Sequence, residues 1–211
     1  MTISDQKQVT AEPLDRRRNG TRDRLVDVSL TIFARRGYAG TTVSEIEKSV
    51  GLRPGSGAMY RHFESKEALL LAAIRAYTER LRNVCDELRA LGPAPDAKTD
   101  LTRIVEALGI FLAREHHMVL IGLDAAGLPD SVRLAIGATW EEGYSLFAET
   151  FIRYKFSVDD AQVMAVASLG SLNHYLVQTM GLGSTPNGVT FDRYVLWWVA
   201  HWTNILERKV G

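Results

Sequence analysis

The 211-residue sequence predicts an all-α protein: a three-helix head joined by one long helix to a body of about six helices. Apolar residues recur at helical spacing from Thr21 onward. Glycines, prolines and hydroxyl residues stand where helices should start and stop. Strand-like alternation bounded by hairpin turns is absent from the sequence.

Residues 1–15 are polar and aperiodic and include Pro13, which reads as a disordered arm, closed by Arg16, Arg17 and Arg18. The first helix carries Leu25, Val28, Ile32 and Phe33 on one side and stops at Gly37, with Arg35 and Arg36 suiting the dipole of its last turn. Thr42-Val43-Ser44-Glu45 fits a capping box and opens the second helix, with Val43, Ile46 and Val50 as its apolar face. Gly51 ends it. A turn over Leu52–Gly57 leads to a short third helix, Ala58–Phe63. Ser65 then caps a long fourth helix with the stripe Leu70, Ala73/Ile74, Tyr77, Leu81, Val84/Cys85 and Leu88. After Gly92-Pro93-Ala94-Pro95, helices are expected at about 99–115, 117–126, 130–155, 157–181 and 191–209. The chain thus divides into an arm (1–15), a head (16–66) and a body (67–211).

Apolar residues make up 46% and charged residues 24%, an ordinary globular composition that excludes a disordered, collagen-like or coiled-coil chain. One cysteine allows no internal disulfide, and the first residues lack the apolar core of a secretory signal, so a cytoplasmic location is expected. Zero net charge hides an asymmetry. Residues 16–66 hold 11 basic against 5 acidic side chains, and residues 67–211 hold 13 against 17. That balance suits a nucleic-acid head on a larger body, and equally an unevenly charged soluble protein.

Residues 161–191 are 31 consecutive positions without Asp, Glu, Lys or Arg. Gln162, Asn173, His174 and Gln178 interrupt the run and Gly181–Gly188 is turn chemistry, so no membrane span is expected. A helix uncharged all round is buried all round, which implies either a thick core or a partner subunit. The small-residue row Ala167, Gly170 and Ser171, with His174, would admit a second helix closely. The last helix has two faces: Val195, Trp198, Trp202 and Ile205 for a core, and Tyr194, Trp197, His201 and Asn204 for an aromatic interface.

Three short helices at the head's spacing match a helix-turn-helix unit, in which the third helix enters the major groove. Residues Thr21–Leu70 resemble the head of the tetracycline-repressor-like (TetR) regulators. The resemblance rests on Phe33, Gly37, Thr42-Val43, Ile46 and Gly51, and above all on Tyr60-Arg61-His62-Phe63, Ser65-Lys66-Glu67 and Leu69. Two departures stand out. Eight residues, Leu52–Met59, separate Gly51 from Tyr60, where the family usually has six. Glu47 follows Ile46 where the family usually has Ala, and must point outward or displace a neighbour.

The resemblance implies DNA contact by Thr42, Arg53, Ser56, Gly57, Tyr60, Arg61 and His62. Lys66 would hold a phosphate beside the free amides of the long helix, and Phe63 would be a buried pin. It also implies a two-fold homodimer through the last two helices, reading a palindromic operator on double-stranded DNA. A small-molecule effector would enter a mostly apolar pocket bounded by Tyr77, Leu81, Phe111, Trp140, Tyr144, Phe147 and Asn173. The stripe Trp140, Tyr144, Phe147, Phe151, Tyr154 also has the spacing of ordinary core.

No cofactor is expected. Adjacent His116 and His117 point about 100° apart on a helix and chelate poorly, so no metal is expected either. No catalytic constellation occurs. Two classes remain: a homodimeric, ligand-responsive transcriptional regulator, most often a repressor, or a helical enzyme or small-molecule-binding protein with an incidental basic head.

Overall fold

A computed structural model describes residues 20–210 of the chain. The arm at 1–15 and the basic run at 16–18 lie outside the described residues, as does the first part of the head. The helices are α1 (Thr21–Gly40), α2 (Val43–Ser49), α3 (Lys66–Ala90), α4 (Ala97–Arg114), α5 (His117–Leu123), α6 (Asp130–Arg153), α7 (Val158–Leu176) and α8 (Phe191–Val210). Short 3-10 turns cover Ala58–Arg61, Ala125–Gly127 and Pro186–Gly188. No strand occurs among the described residues. Among them, no helix is long and apolar enough to cross a membrane.

Local chemistry sets the helix starts. Thr42 and Glu45 form the reciprocal capping box, with Glu45 N donating to Thr42 Oγ1 at 3.3 Å and Thr42 N donating to Glu45 Oε2 at 3.0 Å. Ser65 accepts from Ala68 N, Asp96 from Thr99 N and Ser157 from Asp160 N. Each such cap contributes about 1 kcal/mol. Gly37 (φ +70°) turns the chain left-handed, so the last stretch of α1 is a separate turn.

The buried residues form one core running from Leu25 and Phe33 through α3 to Trp198 and Leu206. Helix α3 belongs to both ends of it: Leu69 and Leu70 are buried towards the head, and Tyr77, Leu81 and Cys85 along the body. Burial pushes the Cys85 thiol up to about 11, consistent with an inert core cysteine. Helices α3 and α6 run side by side and parallel. Thr78 meets Thr139, Arg82 meets Glu142 and Arg89 meets Glu149, so both numbers rise together. Helix α7 lies against α6 through Gly143, where an added Cβ would fall 2.8 Å from Leu169 Cδ2. The α8 core face reads as expected: Trp198 is fully buried, Trp202 nearly so, and the Trp198 indole donates to Ser168 O at 3.1 Å.

Three expected boundaries differ. The helix expected over 117–126 ends at Leu123 and is followed by the separate 3-10 turn Ala125–Gly127. The helix expected to run to residue 181 is α-helical only to Leu176 and continues as a π-turn over Val177–Gly181. The third head helix, expected over Ala58–Phe63, is a single 3-10 turn over Ala58–Arg61. It starts after Gly57 in the left-handed region (φ +69°) and ends at His62, whose φ of −117° leaves the helical range.

Candidate nucleic-acid interface and effector cavity

Thr42, Arg53, Ser56, Tyr60, Arg61 and His62 are all exposed, and Gly57 is half-buried. Tyr60 leaves 56% of its surface free although it follows the fully buried Met59. Phe63 is buried, and the Arg22 guanidinium lies 5.2 Å from its ring centroid, as suits a pin. Thr42 is engaged in its own capping box. Arg24 donates to Val50 O at 3.3 Å and so ties α1 to the end of α2. Lys48, which the sequence reading passed over, is a further exposed cation on α2.

Lys66 sits differently from the expectation. Its ammonium donates to Tyr38 O at 2.6 Å and Thr41 O at 2.9 Å, and lies 4.3 Å from the Tyr38 ring centroid. Two of its three protons are therefore committed within the head. Burial holds its pKa below the usual lysine range. The sequence spacing rightly put Lys66 at the start of the long helix, but nothing local could show that the end of α1 arrives there with open carbonyls.

Glu47 points inward. It is fully buried; its Oε1 accepts from Met59 N at 3.1 Å, and Ser56 Oγ lies 3.5 Å from the same oxygen. Its Oε2 is buried without a hydrogen-bond partner.

Within the body, Tyr77, Leu81, Leu108, Leu112, Met118, Val119, Thr139, Trp140, Gly143, Leu169 and Asn173 line a small apolar cavity. Burial pushes the Tyr77 hydroxyl far above its ordinary range, so it stays neutral. Asn173 Oδ1 is buried without a partner. Of the expected lining residues, Tyr77, Leu81, Trp140 and Asn173 are present. Phe111 is not; it stands behind Tyr77, ring centroids 5.1 Å apart. Phe147 is fully buried against Trp198 at 5.8 Å and belongs to the core. Tyr144 packs half-buried against the core and does not line the cavity. The stripe winds around α6, so only its first residue reaches the opening. The α4 and α5 contributions (Leu108, Leu112, Met118, Val119) carry no mark in the sequence beyond being apolar.

Of the residues expected at a subunit face, Ala167, Ser171, His174, Trp197 and His201 are exposed, while Gly170 and Tyr194 are half-buried. Tyr194 is partly occupied within the chain, stacked on Tyr175 with centroids 4.6 Å apart. Ser171 Oγ lies 3.2 Å from the Trp198 indole nitrogen. Val163, Val166, Leu196 and Trp197 add large exposed apolar surface to α7 and α8.

Residues 25–73 match the family model described as bacterial regulatory proteins, tetR family. The head of the chain thus carries the TetR-family domain. A TetR transcriptional regulator from Legionella pneumophila superposes with a TM-score of 0.68 over 92% of this chain and 98% of its own, at 16% identity. FadR from Bacillus subtilis, solved in complex with stearoyl-CoA, superposes with a TM-score of 0.60 over 89% of this chain and 97% of its own, at 17% identity. Among curated proteins, the HTH-type transcriptional repressor KstR2 of Rhodococcus jostii RHA1 is 32% identical over 107 residues, 51% of this chain and 50% of its own length. The chain spans half or less of the curated relatives it matches. The TetR head thus accounts for α1, α2 and the 3-10 turn, and the TetR fold for the helical body.

Proposed function

We propose that this chain is a homodimeric, effector-responsive DNA-binding regulator of the TetR family that represses transcription in the cytoplasm and is not an enzyme. Its effector is a small, mostly apolar molecule that releases it from a palindromic operator. The observation that carries this reading is the dual use of α3. Its first turn is pinned to the head through Lys66, and about 16 to 22 Å further along, Tyr77 and Leu81 line the cavity. The division into a DNA-binding unit (16–66) and an effector and dimerisation unit (67–211) belongs to the same proposal.

Arg53, Ser56, Gly57, Tyr60, Arg61 and His62 would face the groove and its phosphates. Lys66, spent on carbonyls, would act by holding the head in place. The exposed faces of α7 and α8 would pair two copies about a two-fold axis. That places two heads on half-sites about 34–36 Å apart. The name of KstR2 supports repression. That FadR was solved in complex with stearoyl-CoA supports an effector with an apolar part.

A ligand acts only through its different affinity for the two head separations, and a coupling of roughly 1–3 kcal/mol changes operator affinity about 5- to 150-fold. Selection of duplexes from a random library tests the reading. Enrichment of a palindrome, bound by a dimer with salt-sensitive affinity, is expected. Failure to enrich any sequence overturns it. Mass spectrometry of a ligand that co-purifies would name the effector.

A further inference from the structure

Residue 47 holds both ends of the loop that precedes the groove-reading turn. At the near end, its backbone carbonyl accepts from Leu52 N at 2.9 Å and Val50 N at 3.3 Å. At the far end, its side-chain Oε1 accepts from Met59 N at 3.1 Å. Between them lie Arg53, Pro54 and two glycines in the left-handed region, Gly55 (φ +72°) and Gly57 (φ +69°). Glycines widen the conformations open to a backbone, and within the loop the Ser56 amide donates to Arg53 O at 3.2 Å beside Pro54, so the ends set by residue 47 decide how this short turn is placed. Ser56 contributes one more tie, accepting from Ala58 N at 3.4 Å.

We propose that Glu47 is the positioning residue that sets how Tyr60, Arg61 and His62 are offered to DNA, and so a determinant of sequence discrimination. The proposal rests on the DNA-binding reading above. The 3-10 turn Ala58–Arg61 is too short to orient itself, and Met59 is its only fully buried side chain. The Glu47–Met59 bond fixes the amide beside that anchor, so the exposed residues that follow leave the protein in one direction. The carboxylate is divided in its use: Oε1 satisfies the buried Met59 amide, which an apolar residue would leave without an acceptor, while Oε2 is buried without a partner. Sequence is read by groups that must meet base edges within hydrogen-bond tolerance, whereas phosphate contacts tolerate displacement. Loosening the turn therefore removes discrimination before it removes affinity.

The test compares E47A and E47Q with the wild type on a duplex enriched by the wild type and on a scrambled duplex, alongside hydrogen exchange at the Met59 amide. E47A should lower the enriched-over-scrambled preference roughly 10-fold or more and speed exchange at Met59, with scrambled-duplex affinity and its salt slope unchanged. E47Q keeps the accepting oxygen and should keep both the preference and the protection. An E47A protein that retains the preference overturns the proposal. So does an E47Q protein that loses as much as E47A, or loss of both affinities together with the melting temperature. A wild type that enriches no duplex overturns the DNA-binding reading and this proposal with it.

Discussion

The Lys66 ammonium closes the end of α1 onto the start of α3, donating to the Tyr38 carbonyl at 2.6 Å while lying over the ring of the same residue. One side chain thereby joins the element that supports the head to the element that enters the body.

Lys66→Ala should accordingly destabilise the chain by about 1–3 kcal/mol, since two carbonyls lose a charged donor. DNA affinity should fall without a change in its salt dependence. Unfolding in urea and a salt titration of binding to any duplex check this. A salt slope lower by about one unit would place Lys66 on a phosphate instead.

Trp140→Ala should preserve DNA binding and abolish the effector response, because Trp140 lines the cavity. Tyr144→Ala, which removes a ring from the same helix but not from the cavity wall, should leave the response intact. Titration of each variant with the co-purified ligand against labelled operator distinguishes them. Equal loss in both would mean that helix α6, and not the cavity, carries the effect.

Gly170→Arg tests the pairing of two copies. An added Cβ at Gly170 meets nothing within 4 Å, so a single chain accommodates the change. Helix propensity even favours Arg over Gly by just under about 1 kcal/mol. Buried between two subunits, the same charge would be unpaired. Sedimentation should show dimer for the wild type and monomer for the variant at micromolar concentration, with unchanged helicity.

His117 gives a pH dependence. Burial, then the neighbouring charges of His116 and Arg35, hold its pKa below 6.5, while Glu115 opposes them weakly. The unfolded chain thus takes up the proton more readily than the folded one. This contribution to stability is complete above about pH 6.5 and is lost as pH falls through the lower folded value. Urea midpoints should decline between pH 7.5 and pH 5, and His117→Gln should flatten that decline. An identical decline in the variant would assign it to other groups.

The head was the most legible part of the sequence because its signals are local. The Thr42–Glu45 box, the Ser65 cap and the Gly37 stop each act within four residues, and each appears where the spacing puts it. What escaped depends on contacts between distant segments. Glu47 could be seen as out of place, but its inward turn onto Met59 depends on the loop folding back. Lys66 needed the carbonyls of Tyr38 and Thr41, 28 and 25 residues away. The aromatic stripe of α6 identified a helix with buried aromatics; which of them reach open space is fixed by where α3, α5 and α7 stand. The π-turn after Leu176 left no trace in the periodicity, since its residues are as apolar as those before it.

The parallel run of α3 and α6 limits how the molecule can move. Glu67 is joined to Ser131 at one end, Thr78 to Thr139 in the middle, and Arg82 to Glu142 and Arg89 to Glu149 beyond, so the same two helices are latched at four heights. Sliding one helix along the other by a single turn would open every latch at once. Swinging the pair as one beam opens none. A displacement of one end of the pair that keeps the latches closed arrives at the other end as rotation of the two helices together.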